Sequence, residues 1–191
     1  MVLLFVVPLC LLWKTIYCEV ELIRLQRVKQ SQQVVVWAKS VLLPAVVAEC
    51  FVDDLAHAPS RGQHERRLFC AAGLRALEEQ RSVPSREGLL RERLAAVPAG
   101  DPDTRAFLAW VLLHEYGDRR MLDVYLGEIE KLDPIDIGTT LGLTLSAAGG
   151  LSITDASRQL KANPDALRAT IRGRFDRVRY SQRDRIWEPR E

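Results

Sequence analysis

The chain has little of the vocabulary of catalysis. Its 191 residues include three histidines, and no HExxH, GxSxG, GxGxxG or phosphate-cradling glycine loop occurs in it. Each of those patterns places a ligand, nucleophile or backbone cradle where a reaction needs it. Their absence argues against an enzyme, a bound cofactor and a small-molecule substrate. Cysteine is scarce as well. Cys10, Cys18, Cys50 and Cys70 form no CxxC pair, and two of them lie in or beside the apolar N-terminus. They are expected to be reduced thiols in a cytosol-facing or membrane-buried protein, not a disulfide framework. The nearest metal-like set is Cys50, His57, His64 and Cys70, but its spacings of seven, seven and six match no zinc finger. Asp53 and Asp54 are adjacent, so on a helix they face different directions. His114-Glu115 reads as a capping pair at a helix end, not an acid–base pair.

Charge of one sign is missing from the whole but present in the parts. The net charge of +2 divides into +5 for residues 158–191 and −3 for the remainder. Leu, Ala, Arg and Glu dominate, while β-branched residues cluster near the N-terminus. That composition favours helices.

Val2–Trp13 carries no charge over twelve residues. As a helix it is about 18 Å long, against about 30 Å of bilayer hydrocarbon. Extension through Ile23 reaches the required length and takes in Lys14, Glu19 and Glu21. Lys14 and Glu19 can snorkel, and Trp13 and Tyr17 suit an interfacial belt. An uncleaved membrane anchor is the expected reading. A signal peptide is disfavoured because no basic n-region and no small-x-small cleavage site occur; a buried helix in a larger complex is the remaining alternative. Lys14, Arg24, Arg27 and Lys29 follow the apolar run, so the positive-inside rule implies a single pass with the N-terminus outside and the body cytoplasmic. A second apolar run, Val34–Val52, is interrupted by Lys39, Pro44 and Glu49. It reads as a buried or membrane-surface helix in preference to a second span.

The middle of the chain is punctuated for helices. Pro59-Ser60, Ser85 and Asp101-Pro102-Asp103 are starts; Val83-Pro84 and Pro98-Ala-Gly100 are breaks; Gly117 is a stop. The helix Pro102–Tyr116 and the one after it are expected to share one core of Phe107, Trp110, Leu112 and Tyr125. Asp133-Pro134-Ile-Asp136 opens a further helix to about Ala148, although Leu141, Leu143 and Leu145 alternate like a strand.

Ser152 or Thr154 can cap a helix whose Ile153, Ala156 and Leu160 share a face. Asn163-Pro164 breaks the chain, and Leu167 and Ile171 lie one turn apart on the next helix. Leu151–Ile171 therefore resembles a helix-turn-helix module. It departs from that family's pattern at Lys161, where the turn glycine belongs, and at Ser157, where a small residue, mostly Ala, is usual. The resemblance implies a second helix entering a DNA groove with Arg168 and Arg172 outward, followed along the backbone by Arg174, Arg177, Arg179, Arg183 and Arg185. The other reading is an ordinary helical hairpin. Phe175, Tyr180 and Trp187 interleave with the arginines and point to a binding surface.

The expected architecture is all-α: residues 1–33 as membrane anchor and stalk helix, 34–132 as helical body, and 133–191 as a three-helix, helix-turn-helix-like module with a basic arginine-rich tail. The expected function is a membrane-associated structural or scaffold subunit of a larger assembly. Its partners would be other protein subunits, met through the helical body and basic tail, and membrane lipid. The alternative is a membrane-tethered nucleic-acid-binding protein using 152–185.

Overall fold

The computed structural model describes residues 3–28, 31–57, 64–131, 140, 141, 144, 152–184 and 186–190. It is mostly helical and divides into two compact units, Met1–Leu89 and Leu90–Glu191.

The first unit is built from α1 (Leu3–Gln26), α2 (Ser31–Ser40), α3 (Pro44–Ala56) and α4 (His64–Glu79). Pro44 opens α3 at the first helical position, where its missing N–H costs nothing. Val47, Ala48, Phe51, Val52 and Leu55 form its buried face. The interrupted apolar run Val34–Val52, expected as one helix, is thus split between α2 and α3 and only partly buried. The ring of Phe51 stacks on Trp37 of α2 at 6.0 Å. Gly73 lets α4 come close: a Cβ there would run into Phe51 and Leu25. Leu22 and Leu25 bury the inner side of α1. Among the described residues no single helix is long and apolar enough to cross a membrane. Gln33–Ser40 with Pro44–Ala56 passes that test only as a pair bent by 119°.

Cys18 and Cys50 are joined as a disulfide, their Cα atoms 6.3 Å apart. This corrects the expectation of reduced thiols. The packing of α1 on α3 brings together two cysteines 32 residues apart, a proximity that no spacing rule reveals. Cys70 is a free, buried thiol.

Helix α5 (Glu87–Ala96) runs from the end of the first unit into the second. The second unit is centred on α6 (Pro102–Tyr116), capped by the Asp101 carboxylate, which accepts from the Thr104 N–H at 3.0 Å. Ala106 through Leu113 are all buried, so α6 is apolar on every side, as a central helix must be. Helix α7 (Met121–Glu128) and the 3-10 turn Ile129–Lys131 pack on it through Leu122, Tyr125, Leu126 and Ile129. Phe107, Trp110, Leu112 and Tyr125 are thus buried, as the sequence pattern predicts. Thr140, Leu141 and Thr144 are helical and buried. The rest of the expected Asp133–Ala148 helix, including its strand-like alternation, lies outside the described residues.

Helices α8 (Ile153–Ala162) and α9 (Pro164–Phe175) follow; the Ser152 cap is the expected one, and Asn163, expected as a break, is also a cap. The Ser152 hydroxyl accepts from the Asp155 N–H at 3.1 Å, and the Asn163 side chain accepts from the Ala166 N–H at 3.0 Å. The all-α expectation then needs correction. Val178–Ser181 (β1) and Ile186–Pro189 (β2) form an antiparallel hairpin, with Val178 opposite Pro189 and Tyr180 opposite Trp187. Val178 and Tyr180 alternate with Arg177 and Arg179, a two-residue period that the eye reads as basic charge.

Candidate functional site

The residues that carry the sequence argument lie on α9 and the hairpin. Lys161 remains helical inside α8, and the single connecting residue, Asn163, is extended at φ −157°. The helix pair is present, but its connection is not a left-handed glycine turn.

Arg168 and Arg172 do not stand free. The Arg168 guanidinium donates to the Leu126 carbonyl at 3.1 Å and pairs with Glu130 at 2.5 Å and Asp165 at 2.8 Å. The Arg172 guanidinium donates to Asp123 at 2.7 Å. Both are turned onto α7 and the 3-10 turn after it. What α9 leaves exposed includes Ala166, Ala169 and Gly173. Arg179 pairs across the hairpin with Glu188 at 3.0 Å. Arg174 is half-buried, Arg177 and Arg183 are exposed, and Arg185 lies outside the described residues.

The interleaved aromatics have a structural task that their spacing did not reveal. Trp187 Nε1 donates to the Leu113 carbonyl at 3.2 Å, and Tyr180 Oη to the Glu115 carbonyl at 2.6 Å. Those carbonyls belong to the last turn of α6, where helix acceptors have no intrahelical partner. Trp187 also meets Phe175 edge-on at 5.0 Å and Tyr180 at 5.4 Å. The hairpin is a C-terminal cap on α6, a role for these rings that the sequence reading did not include.

Acidic residues hold the rest of this unit. Asp118 receives Arg91 at 2.8 Å and Arg120 at 3.0 Å. Glu128 receives Lys131 at 2.7 Å and Arg105 at 3.1 Å. Burial alone would raise both acids, but these hydrogen-bonded cations hold them below the ordinary carboxylate range. His114 is not the expected capping residue. Its half-buried ring lies 5.1 Å from Trp110, with Nε2 3.1 Å from Thr144 Oγ1. Loss of solvation pushes its pKa down to about 4.

A pH dependence follows. An unfolded histidine takes up its proton near pH 6.5, whereas folded His114 does so only at about 4. Between those values the unfolded chain binds the extra proton, so stability is full above pH 6.5 and falls as the pH drops. The expected loss is at most about 3 kcal/mol at pH 4. His114→Gln should flatten that window in urea titrations at a series of pH values. An unchanged slope would show that the ring is solvated. Asp118 and Glu128 add their own loss at lower pH, because their folded pKa values are depressed.

A charged cavity of about 280 Å³ in the first unit is lined by Lys14, Cys18, Glu19, Cys50, Asp54 and Arg66 among others. Its two cations are paired: Lys14 meets Glu49 at 3.2 Å, and Arg66 meets Glu19 at 2.5 Å and Asp54 at 2.8 Å. Those acids hold the Arg66 proton more firmly than usual. The Cys70 thiol donates to Asp54 at 3.6 Å, and burial pushes its pKa up, so it is a poor nucleophile. Of the weak metal set, Cys50 is in the disulfide and His57 Nδ1 lies 2.9 Å from its own helix's Asp53 carbonyl. The His64 side chain is outside the described residues. Among the described residues no three His, Cys, Asp or Glu side chains converge on a metal position. No family model, curated protein or solved structure matches the chain.

Proposed function

We propose that the protein is a non-enzymatic, membrane-associated structural subunit of a larger assembly, meeting its partners through the helical body and the basic C-terminal unit. One observation carries the choice over nucleic-acid binding. Arg168 and Arg172 are paired with Glu130, Asp165 and Asp123, and the side of α9 that faces solvent offers Ala166, Ala169 and Gly173 beside Asp165 and the ion-paired, half-exposed Arg172. Small residues let another backbone approach closely but supply no donors for base edges. The exposed Arg177 and Arg183 suit carboxylates of a neighbouring subunit.

The flanking basic residues argue for a cytoplasmic body, and the Cys18–Cys50 disulfide for an oxidising compartment. The disulfide is the stronger argument. The charge rule applies only to a helix that crosses, and among the described residues no single helix is long and apolar enough to do so.

Two measurements test this reading. Affinity purification from detergent should recover stoichiometric protein partners, and Arg177→Ala with Arg183→Ala should loosen them. Duplex DNA should bind no better than the non-specific level of about 10⁻⁴–10⁻⁶ M at physiological salt. Arg168→Ala with Arg172→Ala should instead cost about 1–2 kcal/mol of stability, because it empties contacts on α7. Sequence-selective DNA binding lost in that pair would sink the scaffold reading.

A further inference from the structure

Helix α1 presents two opposite faces. Cys18, Glu21, Leu22 and Leu25 are buried. Leu12, Trp13, Ile16, Val20 and Ile23 are each 45–58% exposed. At 3.6 residues per turn the two sets lie roughly 180° apart, so the outer set is one stripe about 17 Å long. It continues the uncharged run that begins at Val2.

The ionised groups of α1 lie outside this stripe, Glu19 and Arg24 at its edges, and are paired. Lys14 reaches Glu49 at 3.2 Å, Glu19 receives Arg66, and Glu21 receives Arg24 at 2.7 Å and Trp37 Nε1 at 3.2 Å. Beside the stripe, Tyr17 stacks on Trp13 at 5.5 Å and accepts from the Leu43 N–H at 3.1 Å. That bond brings the α2–α3 connection to the stripe's edge. At its tip Leu42 is held out at 83% exposure, the most exposed large apolar residue described. Arg27, one turn beyond Ile23, and Lys39, at the end of α2, are exposed cations of the same unit.

We propose that the first unit is seated on a lipid bilayer, with α1 lying along the interface and its outer stripe and Leu42 among the acyl chains. Arg27 and Lys39 meet headgroup phosphates. This rests on the membrane association proposed above and names the face and depth at which it occurs. Amphipathic helices of this kind enter by about 5–10 Å. A stripe without polar groups suits acyl chains, and an aromatic pair with one hydrogen-bonding end suits the boundary above them. A perpendicular α1 would carry the half-exposed Lys14–Glu49 and Glu19–Arg66 pairs into hydrocarbon. Lying flat leaves them in water.

The experiment uses the full chain with phosphatidylcholine vesicles, with and without anionic phosphatidylglycerol, and acyl chains brominated near the headgroup or near the chain end. Trp13 fluorescence should be quenched chiefly by the shallow bromines. Trp13→Phe should remove that component, and Leu42→Trp should report the same depth. Ile16→Asp with Val20→Asp should weaken vesicle partition by about tenfold or more at unchanged helix content. Arg27→Gln with Lys39→Gln should weaken binding to anionic vesicles alone. Deep quenching at Trp13 with shallow quenching at position 42 would mean that α1 crosses, overturning the seat but keeping the membrane. Absence of quenching in a protein that stays with native membranes through a carbonate wash would overturn the stripe alone. A protein that ignores vesicles, washes off with carbonate and changes from dimer to monomer on Ile16→Asp would overturn both readings and assign the stripe to a second copy.

Discussion

Gly117→Ala should destabilise the second unit by about 3–5 kcal/mol, in chemical denaturation followed by hydrogen exchange in α6 and the hairpin. Gly117 ends α6 at φ +71°. An L side chain in that left-handed region costs about 1–2 kcal/mol. A Cβ there also overlaps the Tyr180 ring, and relief of such overpacking typically costs about 1–3 kcal/mol. Displacing the ring breaks the bond from Tyr180 Oη to the Glu115 carbonyl and loosens the Tyr180–Trp187 pair, which adds about 1 kcal/mol. A double-mutant cycle separates the terms. In a Tyr180→Ala background the clash is gone, and Gly117→Ala should cost only the backbone strain, about 1–2 kcal/mol. If the two changes are additive, the hairpin does not rest on Gly117 in solution.

Removing the Cys18–Cys50 disulfide should cost the first unit about 3–4 kcal/mol, by the chain-entropy relation for a loop of this length. The bond closes a segment of 32 residues and ties α1 to α3. Cys50→Ser, or reduction of the wild type, should lower the denaturant midpoint and strip exchange protection from α1 and α3 while leaving α6 and α7 unchanged. The Cys18 sulfur is buried whereas Cys50 is half-buried, so reductant has an approach from one side. Identical stability before and after reduction would show that the bond does not form. It would also remove the argument for an oxidising compartment.

Local rules made much of the helical pattern legible. Asp101-Pro102-Asp103 capped α6, Gly117 stopped it, and Ser152 and Asn163 capped α8 and α9, because a cap involves atoms within three or four residues. The shared core of α6 and α7 was legible for a related reason: helical spacing marks an inward face before the partner is known. The hairpin was not. Its alternation of Val178 and Tyr180 spans only four residues and is overlain by arginines, and its partner strand begins at Ile186. The arginines themselves illustrate the limit. Their number and sign were plain in the chain, but which partners Arg168 and Arg172 meet depends on Glu130 and Asp123, 38 and 49 residues away. The disulfide has the same character, as does the outer stripe of α1, which could be told from core only once α3 and α4 had covered the opposite face. The sequence by itself determined where several helices begin or end, α6 and α8 among them, because capping and periodicity are short-range. Only the tertiary structure decided which charges are consumed, which thiols meet and which apolar face is left uncovered, because each is a contact between segments that the chain keeps far apart.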